Sequence, residues 1–217
     1  MRTATQNNVY LFMGDKGDGK TTNATALMEI LNRPTVIFDV AAQFGKNDYR
    51  LIANGYQQLY YYLNNPKWLK AIRKANLQIV VRFSKNMNKR EEIEKCSQLL
   101  WDFKHITIVY EEMDLYFVYQ ASTQNPIYET LYLSRNREHE VICIYKQATA
   151  AHEVIKQNAD YIITSNIESA NALKFFERRD KNLPNLIKNL KFREFLIIGK
   201  RGYRRVHKLK KSIAQML

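Results

Sequence analysis

Cysteine is nearly absent: Cys96 and Cys143 are the only two in 217 residues. Far apart in the chain, they have neither zinc-ligand spacing nor the framework of a disulfide-stapled domain. The four histidines form no metal pattern either. Long apolar runs are missing too: Phe195 to Ile198 is typical of those present, and a bilayer span needs roughly 20 such residues. The first residues, MRTATQNN, lack the apolar stretch of a secretory signal. The expectation is an intracellular, soluble chain that is not itself transmembrane. It is read as a single domain, 1–217, with room for a proper core.

Glycine is scarce, yet three of the seven, Gly14, Gly17 and Gly19, fall within the stretch GDKGDGKTT. Glycine tolerates positive φ and the close approach of another group, so a ligand held by the main chain is implied. Gly14, Gly19, Lys20 and Thr21 satisfy the spacing G-x-x-x-x-G-K-[ST] of a phosphate-binding loop. The apolar run VYLFM before it reads as a buried strand. Ala24, Leu27, Met28 and Leu31 behind it, at helical spacing, read as one face of a helix. The expected nucleotide-binding residues are therefore Gly14, Asp15, Lys16, Gly17, Asp18, Gly19, Lys20, Thr21 and Thr22. Loop amides and the helix N-terminus would hold the phosphates of ATP. Lys20 would reach the β- and γ-phosphates, and the Thr21 hydroxyl would sit on Mg²⁺.

Acids are outnumbered, 21 Asp and Glu against 34 Lys and Arg, a formal net charge of +13. The excess is local. From Lys174 to Leu217 there are fourteen Lys and Arg and three acids, a local +11. Such a portion, 174–217, attracts polyanions, of which nucleic acid is the commonest in a cell; a merely solvated basic face is the plainer reading. Within it, FLIIGKRGYRRVHKLKK reads as a β-hairpin with Lys200, Arg201, Arg204 and Arg205 around its tip, facing DNA or a membrane.

Between these landmarks strands alternate with helices. TVIFDV (Thr35 to Val40), LQIVVRF (Leu77 to Phe83), ITIVY (Ile106 to Tyr110), VICIY (Val141 to Tyr145) and Tyr161 to Thr164 read as strands. Helices are expected at Tyr56 to Leu63, Pro66 to Ala75, Asn88 to Phe103, Pro126 to Ser134, Ala150 to Gln157 and Glu168 to Arg178. Ala41 to Tyr56 reads as an irregular loop. The fold class that follows is α/β: a mostly parallel central sheet flanked by helices, of the P-loop NTPase type, ending in a β-hairpin. In such sheets ligands gather where the strands end.

Glu111 and Glu112 end the apolar strand ITIVY, and two adjacent acids there are costly unless something positive or wet meets them. Phosphoryl transfer needs a carboxylate for the metal and another group to orient or deprotonate the attacking water. Glu111 is assigned to Mg²⁺ and Glu112 to the water, with Asp114 an open alternative as base. The tyrosines Tyr60, Tyr61 and Tyr62 either stack on bases or pack on the sheet; packing is the expectation.

The order of the phosphate loop, VIFDVAAQF, IVYEEMDLYF, LSRNREHEVICIYKQ and ADYIIT resembles the FtsK/HerA-type DNA-pumping ATPases. More narrowly, it is similar to the genome-packaging ATPases of tailless icosahedral double-stranded DNA viruses with an internal membrane, turreted archaeal viruses included. The resemblance covers roughly Val9 to Phe176. It implies that Asp39 is the acid ending the second strand, in a segment that closes on the aromatic Phe44. Glu111 would stand in the Walker B position, where the family has aspartate, and Glu112 would be the catalytic glutamate. Gln147 would be the sensor of the γ-phosphate, although Lys146 precedes it where relatives usually carry Thr. Arg137, or else Arg135, would be an arginine finger offered to a neighbouring subunit. The implied activity is ATP hydrolysis coupled to translocation of double-stranded DNA by a homo-oligomeric ring, hexamer or pentamer. Implied partners are capsid vertex or internal-membrane proteins, in the host cytoplasm and transiently at the virion vertex. Three other readings share the loop. One is a small nucleotide or nucleoside kinase, for which no arginine-rich lid is visible. A second is a virion-assembly ATPase not acting on DNA. The last is a nucleotide-gated interaction protein that does not hydrolyse ATP.

Overall fold

A computed structural model describes residues 7–15, 17–45, 49–117, 125–146, 151, 153–200 and 202–206. The described strands are β1 (Val9–Met13), β2 (Thr35–Phe38), β3 (Arg50–Asn54), β4 (Gln78–Arg82), β5 (Thr107–Tyr110), β6 (Glu140–Ile144), β7 (Tyr161–Thr164), β8 (Phe195–Gly199) and β9 (Gly202–Val206). They form one sheet in the order β3-β4-β2-β5-β6-β1-β7-β8-β9. From β3 to β7 all pairings are parallel; β8 and β9 add an antiparallel hairpin. The helices are α1 (Lys20–Leu31), α2 (Gly55–Asn64), α3 (Pro66–Ala75), α4 (Lys89–Leu100), α5 (Pro126–Leu133), α6 (Glu153–Asn158), α7 (Ala170–Glu177) and α8 (Leu183–Lys188). Among the described residues no helix is long and apolar enough to cross a membrane.

Every residue of β1 is buried, and its side chains alternate between two cores, as the two-residue period of a strand requires. Tyr10 and Phe12 join Ala24, Leu27 and Met28 of α1. Val9, Leu11 and Met13 join the core that takes residues from α2 to α8, including Leu59, Ile93, Ile127 and Phe176. Among the described residues the layers are thus lopsided, one helix covering one face and seven the other.

Two local readings change. Residues 41–56 are not all loop, because β3 lies at their end. RLIAN shows no apolar–polar alternation and only Ala53 is fully buried. It is a strand because it is paired, in parallel, with β4 from Arg50↔Gln78 to Asn54↔Arg82. The helix beginning at Asn88 stops at Leu100 and not at Phe103, with Asn88 as its N-cap, accepting from the Glu91 amide. Tyr62 packs edge-on against Trp68 at 5.3 Å, whereas Tyr60 and Tyr61 are exposed.

Candidate nucleotide site

The chain leaves β1 through Gly14 at φ 144° and enters α1 through Gly19 at φ 81°, ψ 22°, a left-handed N-cap. A Cβ on Gly14 would overlap the Ser165 hydroxyl, so only glycine lets the loop pass this close to the end of β7. No acid occupies the first turn of α1, which leaves its N-terminal amides and partial positive charge for an anion. Lys20 is buried, its ammonium donating to the carbonyls of Gly14 (2.8 Å) and Asp15 (2.5 Å). Burial holds its pKa below the usual lysine value, opposed by the charges of Asp18, Asp15 and Asp114. Asp15 is exposed; Asp18 is engaged by the Ser165 hydroxyl at 2.6 Å. Thr22 is exposed, and Lys16 lies outside the described residues.

Opposite the loop stand three acids that end neighbouring strands. Asp39, after β2, is buried and accepts from the amides of Gln43 (2.7 Å) and Phe44 (3.2 Å), with Arg82 Nε at 3.7 Å. It shapes the loop that presents Gln43. Glu111, after β5, accepts from the Ala41 amide through Oε2 at 3.2 Å, while its buried Oε1 has no hydrogen-bond partner. Burial, then the charge of Glu112, pushes the Glu111 carboxyl up to about 7. Glu112 has φ 50°, ψ 48°, a left-handed conformation costly for a side chain of its kind and commonest where a site demands it. Its Oε1 takes Lys146 Nζ at 2.7 Å and Gln43 Nε2 at 3.4 Å.

Gln43 closes the circuit, since its Oε1 accepts from the Thr21 hydroxyl at 2.9 Å. One side chain thereby links the two residues that the sequence assigns to the metal loop and the water. Gln43 and Lys146 were not assigned roles from the sequence. Gln43 sits 22 and 69 positions from its partners, and no local pattern announces such contacts. Asp114 is drawn to the Lys146 amide at 3.2 Å.

The residues fit a magnesium ion. A buried carboxylate oxygen without a partner, on a group whose charge is already disfavoured, is what a cation satisfies. Thr21, whose hydroxyl now donates to Gln43, would supply a second oxygen. Among the described residues no group of three or more His, Cys, Asp or Glu could hold an ion, so an ion here would share its coordination with phosphate oxygens, as Mg²⁺ commonly does.

The remaining candidates lie elsewhere. Gln147 is outside the described residues. Arg135 and Arg137 precede β6, at the end of the sheet where the parallel strands start, about 16 Å, one strand length, from the phosphate loop. Arg135 is tied to Asp160 at 2.5 Å. Arg137 is exposed and has no ion pair among the described residues. The hairpin tip is at this same end, because Gly199 pairs with Tyr161. Its cations are fewer and less available than the sequence suggests: Lys200 pairs with Asp160 at 2.8 Å, Arg201 is outside the described residues, and Arg205 is not at the tip but at the other end of β9, opposite Leu196 and held by Glu194.

No family model matches the chain, and no curated protein matches it either. Solved structures do. The genome packaging NTPase B204 of Sulfolobus turreted icosahedral virus 2, in complex with ATPγS, aligns over 94% of this chain and 99% of its own, with a TM-score of 0.73 and 17% identity. B204, the DNA-packaging ATPase from Sulfolobus turreted icosahedral virus, aligns over 93% and 98%, with a TM-score of 0.69 and 18% identity. The conjugation coupling protein TcpA of pCW3, with ATPγS, gives a TM-score of 0.55 at 12% identity, over 98% of this chain and 63% of its own. Identities this low establish architecture alone: the chain has the P-loop NTPase fold seen in the genome-packaging NTPases of turreted icosahedral viruses.

Proposed function

We propose that this protein is a Mg²⁺-dependent ATPase that drives double-stranded DNA through a homo-oligomeric ring, packaging a viral genome. The observation that carries the reading is the link from Thr21 through Gln43 to Glu112, which sets a phosphate loop against a buried acidic pair. Loop amides and Lys20 bind the β- and γ-phosphates, Lys20 exchanging its carbonyl partners for phosphate oxygens. Thr21 and Glu111 hold Mg²⁺, which when bound offsets charge on the phosphate oxygens. Gln43 orients the attacking water between Thr21 and Glu112. Glu112 accepts the water's proton as the water oxygen bonds to the γ-phosphorus and the bond to the ADP oxygen breaks. Lys146, 2.7 Å from its Oε1, holds Glu112 in place.

Arg137 is too far from its own phosphate loop to serve it, so it acts on a neighbour's nucleotide, which requires the ring. That ring, of five or six copies, uses the whole chain as one ATPase domain with 174–217 as its basic portion. It works in the host cytoplasm and transiently at the capsid vertex, beside capsid or internal-membrane proteins. The fold shared with viral packaging NTPases supports this reading, as do Lys188, Lys191 and Arg193 of the C-terminal portion, exposed and without an ion pair among the described residues.

The test is phosphate release with and without double-stranded DNA across a salt series. A motor is stimulated at low salt and loses the stimulation steeply as salt rises. Indifference to DNA at every salt concentration rules out the motor. A nucleotide kinase would instead respond to a small acceptor.

A further inference from the structure

The turn joining α8 to β8 holds an aromatic ring out in water. Phe192 is 75% exposed. The turn beneath it is firmly built. The Glu194 amide donates to the Lys191 carbonyl at 2.9 Å, and the Lys191 amide donates back to the Glu194 carboxylate at 2.7 Å. That carboxylate is buried and also takes Arg205 Nε from β9 at 2.9 Å. Arg193 stands at φ 64° in the third position, where this kind of turn ordinarily takes glycine. Its guanidinium lies over the Phe192 ring at 5.1 Å. Lys188, Lys191 and Arg193 are exposed, and none has an ion pair among the described residues. A buried anion and a strained residue thus fix one apolar ring between free cations.

Its position matters as much as its composition. β8 runs antiparallel to β7 with Thr164↔Leu196 paired, which puts this turn at the phosphate-loop end of the sheet, opposite to the hairpin tip. Asn166 Nδ2 donates to the carbonyls of Lys188 (3.0 Å) and Leu190 (3.1 Å). Its neighbour Ser165 grips Asp18 of the phosphate loop at 2.6 Å and donates its amide to Met13 at 3.3 Å. Two consecutive residues therefore tie the displayed turn to the nucleotide site.

We propose that the turn Lys191 to Glu194 is the element that grips double-stranded DNA, and that Ser165 and Asn166 couple its position to the phosphate loop. Lys191 and Arg193 meet backbone phosphates, and the Phe192 ring packs on sugars and base edges in the minor groove. A membrane surface fits less well, since it needs an apolar stripe along a helix and this turn offers a single ring. The inference rests on the DNA-motor reading and names the surface that performs it.

The experiment compares phosphate release and duplex binding by the full chain and by Phe192→Ala, Phe192→Trp and Lys191→Ala/Arg193→Gly. Phe192→Ala is expected to raise the duplex concentration giving half-maximal stimulation about tenfold with the DNA-free rate unchanged, while Phe192→Trp keeps stimulation. The double cation variant lowers the slope of log affinity against log salt by about two. Asn166→Ala is expected to bind duplex normally while losing most of the stimulation. An unstimulated wild-type protein overturns the motor reading and this inference together. A stimulated wild type with an equally stimulated Phe192→Ala overturns the inference alone. So does Phe192-dependent binding to phosphatidylglycerol vesicles with DNA stimulation untouched.

Discussion

Lys146 Nζ lies 2.7 Å from Glu112 Oε1, an ion pair between a partly exposed cation and a carboxylate whose side chain is 7% exposed. The pair pins the proposed general base while its neighbour Glu111 shares the same patch. Removing one partner strands the other, and removing both does not. Glu112→Gln and Lys146→Met are each expected to cost about 1–2 kcal/mol in equilibrium unfolding, with the double variant regaining about 1 kcal/mol of their sum. In the ATPase assay Glu112→Gln retains nucleotide binding but falls about 10²–10⁴-fold in turnover. Additive stabilities would contradict the pairing, and unchanged turnover would contradict the role.

Glu111 makes stability depend on pH. Burial and the adjacent Glu112 lift its carboxyl from the ordinary 4.5 to about 7. A carboxyl whose pKa rises on folding stabilises the folded state below about 4.5, and that contribution is lost as pH climbs through about 7. The loss from this group is at most about 3 kcal/mol. Glu111→Gln should therefore be the more stable protein at pH 8, with its advantage shrinking toward pH 5. Urea unfolding at both values checks this, and parallel pH profiles for the two proteins would refute it.

Ser165 controls the phosphate loop from the end of β7. It fills the space beside Gly14 and occupies the Asp18 carboxylate. Ser165→Ala releases Asp18 toward Lys20 and is expected to weaken ATP binding about tenfold, a lost hydrogen bond to a charged group. Gly14→Ala brings a steric overlap as well as a strained φ and should weaken binding far more. Ser165→Gly in the same chain removes the overlap only, so its rescue is partial. Titration calorimetry with a non-hydrolysable ATP analogue ranks the three; full rescue would mean that backbone strain at Gly14 is unimportant.

What was legible in the sequence follows from range. β1, the phosphate loop, α1 and the acidic end of β5 are written in contiguous spacing, and the loop and strands lie where that spacing puts them. β3 was not legible, because RLIAN is an edge strand with little burial and owes its existence to β4. α8 was missed, a six-residue helix with proline in its first turn inside a run of charge. The hairpin tip looked freely cationic because Asp160, which pairs with Lys200, is 40 positions away. The reverse holds for Phe192, whose exposure no local pattern signals.

The two arginines before β6 are separated by their partners. Arg135 is committed to Asp160, whose other oxygen accepts the Val9 amide at 3.0 Å, so it secures the start of β1. Its side chain is 59% exposed, and Arg135→Ala should cost no more than about 1 kcal/mol with turnover retained. Arg137, exposed and without an ion pair among the described residues, is the proposed finger. Arg137→Ala is expected to lower turnover about 10³-fold in the assembled protein. In the proposed ring the finger and the site it serves belong to different subunits, so mixing Arg137→Ala with Lys20→Ala would regenerate intact pairs of finger and loop. The mixture of two inactive proteins should recover a measurable fraction of wild-type hydrolysis. A mixture as inactive as its components, with mixed assembly shown by mass spectrometry, would remove Arg137 from catalysis across the interface.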